Sequence, residues 1–91
     1  MIFGKIQEYA CKHFKVTSDE ILSEKPKVNA VYARIAMANL LHESGYTISE
    51  IADIFHVNNS LIFHYLSTFK DRLKYDVLFA NTYNDFKEEC N

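Results

Sequence analysis

Within the seven residues Asn58 to His64, five side chains carry the chemistry that reads nucleic-acid base edges: Asn58, Asn59, Ser60, Leu61 and His64. An asparagine amide pairs bidentately with adenine, a serine hydroxyl donates or accepts, and leucine fits a thymine methyl. Each good pair is worth about 1–3 kcal/mol of discrimination. This residue set points to A·T-rich duplex. A second set suits phosphate oxygens: Lys25, Lys27 and Arg34 before the stretch, Lys70, Arg72 and Lys74 after it, and the hydroxyls of Thr47 and Ser49. Hydroxyls at a helix start add to the dipole's attraction for anions. Plainer readings stand beside these. Asn58 fits a helix cap as well as a base contact. Lys70 and Lys74, one turn apart, fit either a grip on one phosphate strand or a solvated face beside Asp71. Leu61 and Phe63, if exposed together, fit a protein-binding face.

Other chemistry finds no support in the spacing. His13, His42, His56 and His64 do not form a ligand set, and Cys11 and His13, two apart, fall on different helix faces. No Ser/His/Asp or Cys/His arrangement with supporting glycine loops occurs. The expectation is a protein that is not an enzyme, with no metal and no cofactor. Cys11 and Cys90 read as reduced thiols. No apolar run reaches signal-peptide or bilayer-spanning length. A cytoplasmic protein with no membrane association is expected.

These residues need a scaffold, and 91 of them make a single domain, residues 1–91. With 48% hydrophobic residues, two glycines and one proline, an all-α fold is favoured: a compact bundle of five to six helices. A first helix runs from about Ile2 to Phe14, with Ile2, Ile6, Tyr9, Ala10 and His13 or Phe14 on one face. Thr17 and Glu20 have capping-box spacing for a short second helix, closed by Lys25-Pro26-Lys27. A third spans about Val28 to Glu43 with a stripe of Val31, Ile35, Ala38 and Leu41, widened by Ala36, Met37 and Leu40 and ended by Gly45. Thr47 and Glu50 repeat the capping box ahead of Ile48, Ile51, Ala52 and Phe55. The junction His56 to Asn59 leads to a helix with Ile62, Tyr65 or Leu66, Phe69 and Leu73 facing inward. A last helix, about Asp76 to Glu89, carries Val77, Phe79 or Ala80, Tyr83 and Phe86.

The stretch Thr47 to Leu66 meets the demands of a helix-turn-helix. Ala52 is small where two helices cross closely, Val57 can point from the turn into the core, and Ile62 supplies an inward aliphatic. Such a unit lays its second helix in the DNA major groove. His56 stands where a glycine often takes a left-handed conformation.

Three segments between Tyr9 and Phe69 resemble the C-terminal DNA-binding domain of the bacterial chromosomal replication initiator DnaA, a helix-turn-helix of the Trp-repressor-like group. CKHFKVTSDEILS (Cys11 to Ser23) is similar to the family's C-x-x-Y/F-x-V-T-x-E-E-L-L-S. Ala36-Met37-Ala38-Asn39-Leu40 is similar to its A-M-x-L run, and ISEIADIF (Ile48 to Phe55) to its L-P-E-I-G-x-x-F. His64 matches the second histidine of the family's G-G-R-D-H-T-T-V-x-H-A signature, Ser60 the first of its paired threonines, and Asn59 stands at its first histidine. The Arg-Asp pair is absent, and the family's minor-groove arginine falls near Val31. No G-x-x-x-x-G-K-[ST] phosphate loop occurs, so the resemblance is to the DNA-binding module without the ATPase domain. It implies a double-stranded DNA partner and a role in replication initiation or transcription regulation.

Charge distribution sets the alternative. The formal net charge is −2. Residues 1–34 sum to +2, residues 35–69 hold no Lys or Arg and sum to −3, and residues 70–91 sum to −1. Because phosphate neutralisation supplies most non-specific affinity, the flanking lysines must do the gripping. The competing reading is a protein-interaction or dimerisation domain on a degenerate helix-turn-helix. In it a homodimer or a protein partner would pack on Tyr75, Phe79, Tyr83 and Phe86.

Overall fold

Six helices account for the chain in the computed structural model, which describes residues 3–91: α1 (Phe3–Phe14), α2 (Ser18–Ile21), α3 (Val28–Glu43), α4 (Ile48–Phe55), α5 (Asn59–Tyr75) and α6 (Val77–Cys90). No strand occurs among the described residues. The expected place of Ile2 on the first helix lies outside them. The Cα radius of gyration is 11.7 Å, close to the roughly 12 Å of a folded chain of this length.

Local chemistry explains the helix ends. Thr17 accepts from the Glu20 amide at 3.1 Å while the Glu20 carboxylate accepts from the Thr17 amide at 2.9 Å. Thr47 and Glu50 repeat the exchange at the same two distances. The Thr47 backbone amide, and then its hydroxyl, hold the Glu50 carboxyl below the usual carboxylate range. Gly45, with φ 105°, follows α3, and its amide bonds to the His42 carbonyl while that of Tyr46 reaches Leu41. That is the Schellman pairing, with glycine in the left-handed position.

The same pairing closes α1 and α4 without glycine. Val16 donates to Cys11 past Lys15 at φ 58°, and Val57 donates to Ala52 past His56 at φ 58°. A β-carbon in this region is strained. His56→Gly is therefore expected to stabilise the fold by about 0.5–1 kcal/mol, since relief of strain outweighs the extra freedom of the unfolded chain. Thermal unfolding should show a midpoint raised by roughly 3–6 °C.

Helix α3 is the axis of the bundle and touches all five other helices. Six consecutive residues, Ala33 to Met37 and Ala38, are buried. A helix apolar on all sides must be central, and its alanines let neighbours approach closely. Ala36, Met37 and Leu40 widen the stripe as expected, Ala33 and Arg34 extend the buried surface further, and Val31 within the stripe is only half-buried. Around α3, Ile6, Ala10 and Phe14 of α1, Ile51 and Phe55 of α4, and Ile62, Tyr65 and Phe69 of α5 complete the core.

Helix α6 closes the bundle with aromatic rings. Phe79, Tyr83 and Phe86 are buried, and Phe69 and Tyr83 meet edge to face with centroids 4.6 Å apart. Burial pushes the Tyr83 hydroxyl up to about 12, although Asn39 donates to it at 3.0 Å. Three of the four aromatics expected to receive a partner are therefore core; only Tyr75 is free, at 74% exposed. Val77, expected inward, is exposed, as is much of Leu73. The reason is the joint between α5 and α6. It is the single residue Asp76, which caps α6 through the Phe79 amide at 3.0 Å and turns Val77 outward.

Candidate nucleic-acid interface

Helices α4 and α5 pack on each other and on α3, joined by His56, Val57 and Asn58. Ala52 is buried at the contact and Val57 turns partly into the core. Asn58 caps α5: its side-chain oxygen accepts from the Leu61 amide at 2.9 Å. That bond turns the Asn58 oxygen toward the first turn of α5 and leaves both of its amide N–H donors unused.

Asn59 is the first residue of α5, and its amide donates to the Ser49 hydroxyl at 3.1 Å. A base-reading candidate and a phosphate candidate thus meet across the two helices. The bond fixes the Asn59 rotamer and leaves its second N–H and its oxygen directed away from Ser49. Ser60, Phe63 and His64 are exposed, Phe63 to 60%, and His64 lies 3.4 Å from Thr68 one turn on. Leu61 is only half outward, because it packs against the core beneath. Thr47 and Ser49 are exposed at the start of α4.

The lysines fall in two places. Lys25 and Lys27 are exposed on the connection between α2 and α3. Residues of this connection, Leu22, Ser23, Glu24 and Pro26, face His56, Val57, Leu61 and Tyr65 across a groove of about 510 Å³. The basic loop therefore flanks the start of α5. Lys27 is the N-cap of α3 but provides no side-chain cap, so the first amides of α3 are left for another acceptor. Lys70 shares a hollow with Phe63, His42 and Asn39 on the outer flank of α5. Lys74 lies over the Tyr75 ring, 5.2 Å from its centroid, at the far end of α5. Fifteen residues of helix separate it from Asn59, roughly 22 Å.

Arg34 does not belong with these cations. It is 3% exposed, and its guanidinium donates to the carbonyls of Ile21 and Ser23, each at 2.6 Å, and to the Tyr65 hydroxyl at 3.3 Å. The carbonyls at the end of the one-turn α2 have no helical acceptor role left to fill, and the arginine fork meets them. No phosphate can reach it. Its place among apolar neighbours was the missed signal: Ala30, Met37, Ala38 and Leu41 occupy the helical positions on either side, which leaves Arg34 no solvent-facing register. Arg34 positions the loop that carries Lys25 and Lys27, and its guanidinium also lies 5.9 Å from the centre of the Phe55 ring.

Among the described residues no group of three or more His, Cys, Asp or Glu side chains could hold a metal ion, and no helix is long and apolar enough to cross a membrane. His13 instead joins Lys12 on Glu89 of α6, at 2.6 and 2.9 Å, and the Lys12 and His13 bonds hold the Glu89 carboxyl below its usual range. The chain matches no protein-family model, no curated protein and no solved structure.

Proposed function

We propose that this chain is a sequence-specific double-stranded DNA-binding module, acting in replication initiation or transcription regulation without catalysis. In this reading α4 and α5 work as a helix-turn-helix, with the first two turns of α5 in the major groove. The observation that carries it is the exposed polar start of α5, where Asn59, Ser60 and His64 stand together beside a lysine-bearing loop pinned in place by Arg34. Asn59 and Ser60 read base edges, His64 reaches the next base step, and Asn58 orders the first turn. Lys25 and Lys27 grip one phosphate strand. Ser49 donates to the other, with Lys70 alongside, while the Thr47 donors stay with Glu50. Lys74 lies too far along α5 to share in that grip.

The DnaA-like resemblance agrees with this assignment at His64 and Ser60. A protein-interaction reading, with a homodimer or another partner, is favoured by one observation: Phe63 is exposed in the middle of the reading face, with no Lys or Arg between residues 35 and 69.

Titration of the chain with an A·T-rich duplex at low salt, followed by amide NMR, distinguishes the two. Shifts are expected at Lys25, Lys27, Asn59, Ser60 and His64. Asn59→Ala should reduce the difference in affinity between duplex sequences, whereas Lys27→Ala should weaken all sequences alike. No shift at these positions, or the reverse division of roles, would overturn the proposal.

A further inference from the structure

Among the large apolar side chains left exposed, the most accessible gather at the joint of α5 and α6: Tyr75 at 74%, Val77 at 71% and Leu78 at 80%. Leu78 lines a hollow with Asn29 and Tyr32 of α3 and Lys15. Scattered exposed apolar residues are ordinary, but three grouped at one helix joint form a patch of the kind that marks an interface. The aromatic rings that could have filled this role from α6 are inside the core, so the patch is a separate feature of the surface.

We infer that this joint is the contact surface for a second copy of the same chain. Two observations select that occupant. The first is charge. Exposed charged side chains flank the patch, Lys15 beside Leu78, Lys74 over Tyr75, Asp71 one turn before Tyr75 and Asp85 two turns after Leu78, while Asp76 in the same hollow is paired with Arg72. None of the four flanking side chains forms an ion pair among the described residues. Two positive and two negative groups around one apolar centre suit a partner that offers both signs in the same layout, which a two-fold copy does. An acidic, a basic or a lipid surface would meet repulsion from half of them. The second is size. Three large side chains with most of their surface exposed supply roughly 300–400 Å² of apolar area, the core of a standard interface of about 800 Å² per partner once a polar rim is added.

The dimer does not depend on the DNA reading, because the patch lies at the opposite end of α5 from Asn59 and is tested without nucleic acid. Sedimentation equilibrium of the full chain between about 10 μM and 1 mM is expected to show a concentration-dependent approach to twice the 10.6 kDa chain mass. Leu78→Asp should weaken dimerisation roughly a hundredfold, since each interface loses two leucines and gains two buried charges. Leu78 is the second residue of α6, where an acidic side chain suits the helix dipole, so the variant should keep the helical circular dichroism of the parent. Phe63→Asp, on the other end of α5, should leave the dimer unchanged. A parent chain monomeric at 1 mM, a dimer indifferent to Leu78→Asp, or one abolished by Phe63→Asp would each overturn the inference.

Discussion

Arg34→Ala is expected to lower the stability of the fold by about 3–4 kcal/mol. The substitution removes the donors that satisfy the Ile21 and Ser23 carbonyls and the Tyr65 hydroxyl, and each buried acceptor left unmet costs about 1–3 kcal/mol. It also empties the space of the arginine stem against Phe55 and Tyr65. For a domain of this size the thermal midpoint should fall by roughly 15 °C or more. Arg34→Lys should recover little of the loss, because one ammonium cannot reproduce a planar fork directed at three separate acceptors. Lys27→Ala, on the exposed part of the same loop, should stay within about 0.5 kcal/mol of the parent. Thermal denaturation of the three variants checks the ranking. An Arg34→Ala chain as stable as Lys27→Ala would mean that the guanidinium is not what holds the loop to α5.

Duplex binding should weaken steeply with salt. If Lys25, Lys27 and Lys70 each neutralise one phosphate, the slope of log affinity against log salt is about −2.7, and affinity falls roughly forty-fold between 50 and 200 mM salt. Each lysine replaced by alanine should reduce the slope by about one unit. Arg34→Gln should not change the slope, because a buried guanidinium releases no condensed counterion. A salt-independent affinity would instead indicate apolar protein-type contacts around Phe63 and would remove the DNA assignment. The small number of available cations also sets a ceiling: if the chain binds duplex DNA as proposed, one copy should bind weakly. Two copies joined at the α5–α6 joint would hold two reading helices on one duplex and double the phosphate contacts.

Which parts of this were readable in the chain follows from how far each interaction reaches. Both capping boxes, the glycine closing α3, the left-handed histidine after α4 and the asparagine before α5 were all legible, and the helices begin and end where these residues stand. Each is an exchange between groups no more than five residues apart, so residue type and spacing contain the whole interaction. The all-helical class follows for the same reason: few glycines, one proline, and apolar residues at helical intervals leave little else to form.

Position relative to distant neighbours was not legible. Arg34 reads as a surface cation until α2 and α5 are brought against α3, when two carbonyls and a hydroxyl surround it. Asn59 and Ser49 read as separate contacts until the turn at His56 folds them together. Phe79, Tyr83 and Phe86 fit either a core or a partner's face until α6 lies across α1, α3 and α5, and Val77 reads as inward until Asp76 turns it outward. The amino-acid sequence by itself determined the helices, their caps and the types of side chain at the start of α5. Only the tertiary structure decided which cations reach solvent, which aromatics are enclosed and which apolar residues are left bare. Burial is set by contacts between segments tens of residues apart, and helical periodicity specifies a face without specifying what will cover it.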